Sequence, residues 1–355
     1  MVFNYETFSK ILVMILLSFV FVVAIIPFIR NMAIKINAVD IPRTRHIHKK
    51  PTPKLGGLAI FLGFLLGYMV FGTHSSIMNA VLIGSFIIII TGVIDDITEL
   101  GPLTKFVGQL AAACVIVFYG RLLISDVTAF GFYIDFSYLS YPLTIFFILG
   151  CINCINLIDG LDGLSGGISS IYFLTIGIIA IIQGRTGLDF ILSFVMLGST
   201  LGFLVYNFHP ATIFAGDSGS MFMGFIISVI ALLGFKNVTM TSLIIPLLIL
   251  AIPILDTLFA ILRRLLKGEN PAKGDKLHIH HQLLNKNISQ SKTVVIMLII
   301  DALFALASII YVLNDTNLGY IIYGLLSIIV LVFIMTTNVV FDRKDIKKRY
   351  KKLFK

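Results

Sequence analysis

The sequence predicts an all-α fold: a polytopic bundle of about 11 transmembrane helices in one domain spanning 1–355, with a basic tail at 341–355. Three observations carry this. Hydrophobic residues make up 58% of the 355 and charged residues 13%, with a mean hydropathy of +1.01, which leaves too little polar surface for a soluble fold of this size. Apolar stretches recur near the ~20 residues a helix needs to cross hydrocarbon, where every backbone group must be satisfied internally and open sheets are ruled out. The basic residues also segregate, with 23 of the 27 Lys and Arg falling in alternate connections between those stretches.

The expected spans are 11–29, 55–73, 79–94, 103–124, 138–155, 164–183, 189–208, 220–235, 241–262, 293–313 and 318–340. The shortest would stand upright or sit in thinned bilayer. The first follows only Glu6 and Lys10 and shows no small-residue cleavage site, so it reads as a retained helix rather than a signal peptide. One set of connections holds Arg30 through Lys105, Arg263 through Lys292 and the tail from Arg343 to Lys355. The other holds only Lys10, Arg121, Arg185 and Lys236. The positive-inside rule then places the N-terminus outside and the C-terminus in the cytoplasm. A single missed helix would scramble this parity. The net charge of +9 serves that topology and also suits anionic head groups or a phosphate-bearing substrate; no nucleic-acid partner is expected.

Cys114, Cys151 and Cys154 lie in or beside spans. The last two have the spacing of half a zinc site, but the third is in another span, so they read as packing residues. The 29 glycines suit close helix contact in lipid. No inverted halves with matched broken helices, the pattern of many transporters, can be seen.

Acidic motifs stand at the ends of spans, where carboxylates in lipid mark functional sites. Asp95 and Asp96 end the third span ahead of Gly101-Pro102 and Lys105. Adjacent helical residues diverge by about 100°, so the pair cannot face one ligand unless the helix unwinds there. Asn153, Asn156, Asp159 and Asp162 recur every third residue and drift about 60° per step, with Gly160 and Gly163 placed to break the helix and turn the last acid back. Their oxygens suit Mg²⁺. Gly216-Asp217-Ser218-Gly219-Ser220 opens the eighth span. There, glycines permit close approach, Ser218 or Ser220 is placed to cap the helix, and the positive helix end would face a phosphate. Asp217 is the first choice for a metal ligand. His278, His280 and His281 sit near Arg263 and Arg264, which favours anion binding or proton transfer over zinc. The basic segment from Asp40 through Arg43, Arg45, His48 and Lys54 would gather phosphates at the membrane surface. Asp256, two turns before Arg263, and Asp301, alone in the tenth span, receive no catalytic role.

In this order, Pro53-Lys54-Leu55-Gly56-Gly57, Asp95-Asp96 with Lys105, Asn153 to Gly163, Gly216 to Ser220 and His278-Ile279-His280-His281 resemble the polyprenyl-phosphate N-acetylhexosamine-1-phosphate transferase family (glycosyltransferase family 4) over nearly the whole chain. Pro253-x-x-Asp256 with Arg263-Arg264, and the His-x-His-His pattern, look like its bacterial N-acetylglucosamine branch. The branch that uses UDP-MurNAc-pentapeptide usually shows three consecutive histidines followed by Phe-Glu, absent here. The resemblance implies an enzyme of the bacterial cytoplasmic membrane acting on UDP-N-acetylglucosamine and undecaprenyl phosphate, the first membrane step of teichoic acid or related envelope glycan synthesis. It further implies Mg²⁺ or Mn²⁺ and a cytoplasmic site, and is compatible with a homodimer. By residue, it places metal ligation on Asp217 and Asn156 and catalysis on Asp95 and Asp96. Substrate binding falls to Lys54, Lys105, Asn153, Asp159, Asp162, Arg263, Arg264, His278, His280 and His281.

The lipid phosphate would attack the sugar-linked phosphorus with loss of UMP, either directly, with Asp96 as the group that could take a proton, or through an aspartyl-phosphate on Asp95 or Asp96; only the direct route inverts configuration at phosphorus. The rival readings are the pentapeptide transferase and, from another class, an ion-coupled transporter or lipid flippase, whose acids should lie near mid-membrane rather than at one face.

Overall fold

The computed structural model describes residues 5–41, 51–129, 132–235, 249–267, 278–313 and 316–336. These belong to two compact units, Met1–Leu247 and Leu248–Lys355. Helix dominates both, and eight helices among the described residues are long and apolar enough to cross a membrane. The protein is an all-α, multi-pass membrane protein. Arg43, Arg45, His48, Lys236, Asp275, the beginning of the ninth expected span and the basic tail lie outside the described residues.

The first unit holds α1 (Tyr5–Lys35), α2 (Gly56–Phe71), α3 (Ser76–Thr98), α4 (Pro102–Cys114, continued by a π turn over Val115–Tyr119), α5 (Ser140–Ile158), α6 (Leu164–Ile182), α7 (Leu188–Asn207) and α8 (Gly216–Phe235). Each coincides with an expected span to within a few residues, except that α1 runs on to Lys35 and α4 stops early, where Gly120 and a left-handed Arg121 (φ 50°) turn the chain. Two antiparallel hairpins are additions to the sequence reading: β1 (Val39–Asp40) with β2 (Thr52–Pro53), and β3 (Asp126–Ala129) with β4 (Phe132–Asp135). Strands of two to four residues leave no trace in a window long enough to find a membrane span.

The core of this unit is α8, where Met221, Phe222, Met223, Phe225, Ile226, Ile227 and Val229 are all fully buried. A helix apolar on every side belongs inside a bundle, and α8 packs on α2, α3, α5 and α7. Lipid tails are as apolar as these side chains, so close van der Waals fit rather than expulsion of water holds the helices together. Phe222 meets Phe61 and Phe64 edge-on at centroid distances of 5.5 and 5.4 Å. At the other extreme, Gly57 lies against the backbone of Gly219, and Gly92 against that of Ser218, so a Cβ at either glycine would overlap main-chain atoms. These approaches draw α2 and α3 onto the first turn of α8, the turn that carries Asp217.

Hydrogen bonds then gather alternate helix ends. Lys54 N–H donates to Ala38 O (3.0 Å), Phe214 N–H to Pro53 O (2.8 Å) and Gly56 N–H to Phe214 O (2.9 Å), tying the end of α1, the β1–β2 hairpin, the start of α2 and the α7–α8 loop together. Gly163 N–H donates to Asn207 Oδ1 (2.9 Å), fastening the α5–α6 turn to the end of α7.

The second unit contains α9 (Ala251–Lys267), the short α10 (Ile279–Leu284), α11 (Gln290–Val312) and α12 (Thr316–Thr336), with α11 packing on α9, α10 and α12. Tyr323 on α12 donates to Ser308 Oγ on α11 (2.7 Å). Asp301 is fully buried on α11, and neither of its oxygens has a hydrogen-bond partner among the described residues.

Candidate active site

Three of the four sequence motifs converge at one end of the first unit, and Asp217 is their hub. Its Oδ2 receives Lys105 Nζ at 3.0 Å and its Oδ1 receives the side-chain amide of Asn156. The Asn156 orientation follows from its second partner. Ser220 Oγ already donates to Gly216 O (3.0 Å), so it accepts from Asn156 and must face the nitrogen (2.8 Å). Asn156 therefore offers Asp217 a donor, not a metal-binding oxygen.

Asp95 and Asp96 part company, as a continuous helix requires: α3 stays intact to Thr98. Asp95 accepts from Leu100 N–H (2.7 Å) through Oδ1 and pairs with Lys105 (2.6 Å) through Oδ2. Asp96 turns to α8 instead, taking Asp217 N–H at 2.8 Å and both the N–H and Oγ–H of Ser218 at 3.2 and 2.7 Å. This corrects the capping expectation. The first turn of α8 is capped by a carboxylate from another helix, Ser218 donates rather than caps, and the positive helix end is answered by Asp96 rather than left for a phosphate. Gly216 (φ 71°) makes this possible, because a Cβ there would strike Asp96 and the Lys54 carbonyl.

Lys105 reaches the acids because Gly101 and Pro102 start α4 immediately after α3, with Pro at the first turn. An open cavity of about 330 Å³ lies over the group, lined by Asp40, Lys54, Asp95, Glu99, Lys105 and Asp217. Lys54 stands 3.9 Å from Asp40 there.

The Asn153 to Asp162 series fans out as its three-residue step predicts. Asn153 donates to Gln109 Oε1 (2.9 Å) and to Leu149 O (2.8 Å), so it joins α5 to α4 inside the bundle. Asp159 accepts from Ser165 Oγ. Asp162 accepts from Ala211 N–H (3.1 Å) and pairs with His209 Nδ1 (2.8 Å). The turn between them ends at Gly163 in the left-handed region (φ 80°). Burial pushes the Asp159 carboxyl up from 3.8 to about 7, against the opposing Ser165 bond. An acid so placed holds its proton in the folded chain where the unfolded chain has lost it. Its contribution to stability therefore falls as pH rises from about 4 to about 7. Asp159→Asn, which can still accept from Ser165, is expected to flatten that part of a melting-temperature profile between pH 4.5 and 7.5 measured in detergent; an unchanged profile would count against the assignment.

The fourth motif belongs to the second unit. Asp256 on α9 pairs through Oδ2 with His278 Nδ1 (2.8 Å) and accepts Ile279 N–H on Oδ1 (2.8 Å). His280 stacks parallel to His278 at 5.6 Å and lies 4.3 Å from His281. Burial and the neighbouring His281 hold the His280 imidazole down to about 3. Arg263 and Arg264 are buried in the same unit.

Comparison with known proteins fits this arrangement. The family model for glycosyl transferase family 4 matches residues 78–235, from α3 to the end of α8. The chain is also 40% identical over 354 residues, 99% of each protein, to the "Probable undecaprenyl-phosphate N-acetylglucosaminyl 1-phosphate transferase" of Bacillus subtilis (strain 168). The chain belongs to glycosyl transferase family 4. Other similar family 4 proteins include the "Decaprenyl-phosphate N-acetylglucosaminephosphotransferase" of Mycolicibacterium smegmatis, 31% identical over 86% of this chain and 82% of that one. The "Undecaprenyl-phosphate alpha-N-acetylglucosaminyl 1-phosphate transferase" of Escherichia coli (strain K12) is 29% identical over 81% and 80%.

Gln109, Glu99 and His209 stand outside the motifs legible in the sequence. Gln109 stands one helical turn beyond Lys105 and is thus on the same face of α4. Glu99, a non-glycine residue at φ 51° on the cavity wall, stands three residues after the acid pair but gives no sign in sequence of its left-handed backbone. His209 shows its role only once the chain folds back onto Asp162.

Proposed function

We propose that this family 4 transferase moves N-acetylglucosamine-1-phosphate from UDP-N-acetylglucosamine to undecaprenyl phosphate, releasing UMP, at the cavity over Asp217. The observation that carries the reading is the joining of Asp95, Lys105 and Asp217 from three helices at one open, charged cavity, with Asn156 of a fourth helix bonded to Asp217. A transporter would be expected to hold such acids at mid-membrane. The near-complete overlap with the Bacillus subtilis relative supports the lipid and sugar named. Arg30, Lys35, Lys54 and Lys105 stand at the site's end of the first unit, and Lys10, Arg121 and Arg185 at the other, which supports a site on the cytoplasmic face of the cytoplasmic membrane.

The resemblance calls for a divalent cation. Among the described residues no three His, Cys, Asp or Glu side chains form a ready-made metal cluster. Mg²⁺ keeps several waters and binds through one or two carboxylates and substrate phosphates. Asp217, its side chain 29% exposed, would hold the ion, with Asp95 beside it. The bound cation would offset charge on the donor diphosphate.

The protein's own groups do the rest. Lys105 keeps two carboxylates together in the resting site, and a cation in that position is available to phosphate oxygens. Lys54 supplies positive charge elsewhere on the cavity wall. An oxygen of the lipid phosphate, already largely a dianion with a second pKa of about 6, bonds to the sugar-linked phosphorus. The bond to the bridging oxygen breaks, and its electron pair leaves with UMP. Both Asp95 and Asp96 are buried with their oxygens engaged, which supports direct displacement over an aspartyl-phosphate.

The test is UMP release by purified protein in detergent with undecaprenyl phosphate and UDP-N-acetylglucosamine. Activity is expected to vanish with EDTA, return with Mg²⁺ or Mn²⁺, and require the lipid. Turnover with UDP-MurNAc-pentapeptide alone would reassign the sugar, and folded protein silent with both donors would overturn the reading.

A further inference from the structure

The residues that meet at Asp217 have a second layer beneath them, one helical turn deeper in the bundle. Gln109 follows Lys105 by four residues on α4, Met221 follows Asp217 by four on α8, and Asn153 precedes Asn156 by three on α5, so each shares a helix face with its site residue. The helix directions put all three on the inner side, since α4 and α8 begin at the site and α5 ends there. The deeper residues are joined in their turn. Asn153 Nδ2 donates to Gln109 Oε1 at 2.9 Å, and Gln109 Nε2 donates to Met221 Sδ at 3.2 Å.

Both amides have only one orientation that satisfies these contacts. Asn153 also bonds Leu149 O (2.8 Å), a carbonyl that can only accept, so its nitrogen points this way. Gln109 must then answer with Oε1 and turn its own nitrogen to the thioether, a weak acceptor. Gln109 is 4% exposed and Met221 fully buried, so water hardly competes for these bonds. A directed chain of this kind selects one placement of the helices, which apolar contact alone does not.

The helix that carries Lys105 needs such a brace. No residue of α4 from Pro102 to Gly108 is buried, and Gln109 is the first that is. Gly108 lies against Thr91 and holds α4 to α3. Toward α5 and α8, the polar contacts of α4 among the described residues are those of Lys105 and Gln109. Lys105 itself is a point charge on a flexible four-carbon stem, so the rotation and depth of α4 decide whether Nζ can bridge Asp95 and Asp217.

We propose that Gln109 and Asn153 are a positioning pair. Their bond, backed by Met221, sets α4 against α5 and α8 so that Lys105 Nζ and the Asn156 amide meet the two oxygens of Asp217 together, and Asn153 acts through Gln109 rather than on substrate. The claim that this geometry serves transfer rests on the transferase reading; the claim that the pair sets the geometry does not.

Gln109→Met and Asn153→Leu in the full-length protein keep the side-chain size and remove the bond. Each alone strands the partner's amide, and is expected to lower both the melting temperature and kcat for UMP release, the latter about 10- to 100-fold. The double variant strands neither. Its melting temperature is expected to return toward wild type while kcat stays within about 2-fold of the lower single variant, and it carries the test if a single variant does not fold. A double variant with wild-type kcat would mean that the bond only holds stability, and single losses that multiply in the double would mean that the two residues act apart. Either result overturns the proposal.

A second measurement does not depend on turnover. Acetylation of Lys105 by acetic anhydride, read by mass spectrometry against the exposed Lys35 at the end of α1, is expected to rise severalfold in the double variant as the amine leaves its two carboxylates. An unchanged ratio in folded protein overturns the positioning claim. If the wild type releases no UMP, the transferase reading falls while the acetylation ratio still decides whether the pair positions Lys105.

Discussion

Asp217→Asn is expected to lower UMP release by roughly 10³-fold or more, about 4 kcal/mol in the barrier, while leaving the protein folded. The substitution keeps the shape of the side chain but removes its charge. Lys105 would then be held by Asp95 alone, and a divalent cation would lose the carboxylate at the hub of the cavity. Stability should fall by roughly 1–3 kcal/mol, because Lys105 and the Asn156 amide both bond the ionised carboxylate. The apparent Mg²⁺ requirement of any residual activity should rise. A variant within tenfold of wild type would remove Asp217 from the centre of the site.

Asp217 was legible in the sequence as a candidate, an acid in a glycine-rich turn at a span end, and the structure joins it to Lys105 and Asn156. Its neighbours were legible by kind but not by partner. The three-residue rhythm from Asn153 to Asp162 said that the four polar groups must diverge, and they do, reaching Gln109, Asp217, Ser165 and His209. Which of them meets Asp217 depends on helices far away in sequence. The 61-residue separation between Asn156 and Asp217 is not something periodicity can bridge.

The helices themselves were read well because hydrocarbon thickness fixes their length. The hairpins at Val39–Asp40 and Asp126–Ala129 were not, because they lie outside the apolar runs and answer to local pairing. Asp256 illustrates the remaining gap. Its place two turns before Arg263 pointed to no particular partner, whereas its described bonds are to His278 and Ile279, across a connection of more than ten residues.

Asp96 separates two accounts of the acid pair. As the cap of α8 it receives three hydrogen bonds while only 5% exposed, so Asp96→Ala should strand Asp217 N–H and Ser218 N–H beside apolar packing. Hydrogen bonds to a charged group contribute about 1.5–3 kcal/mol each and are not additive; a total loss of roughly 3–5 kcal/mol is expected, read as a clear fall in melting temperature. Activity should fall by at least about 100-fold in the protein that remains folded, because the backbone of Asp217 loses its anchor. Asp96→Asn keeps one acceptor oxygen but sets an amide against the remaining donors, so it should fall between wild type and Asp96→Ala in both measurements. A general base behaves otherwise: Asp96→Asn would abolish turnover at undiminished stability and remove the acid limb of the pH–rate profile. Stability and activity falling together across the two variants support the cap, whereas activity falling alone restores Asp96 to the chemistry.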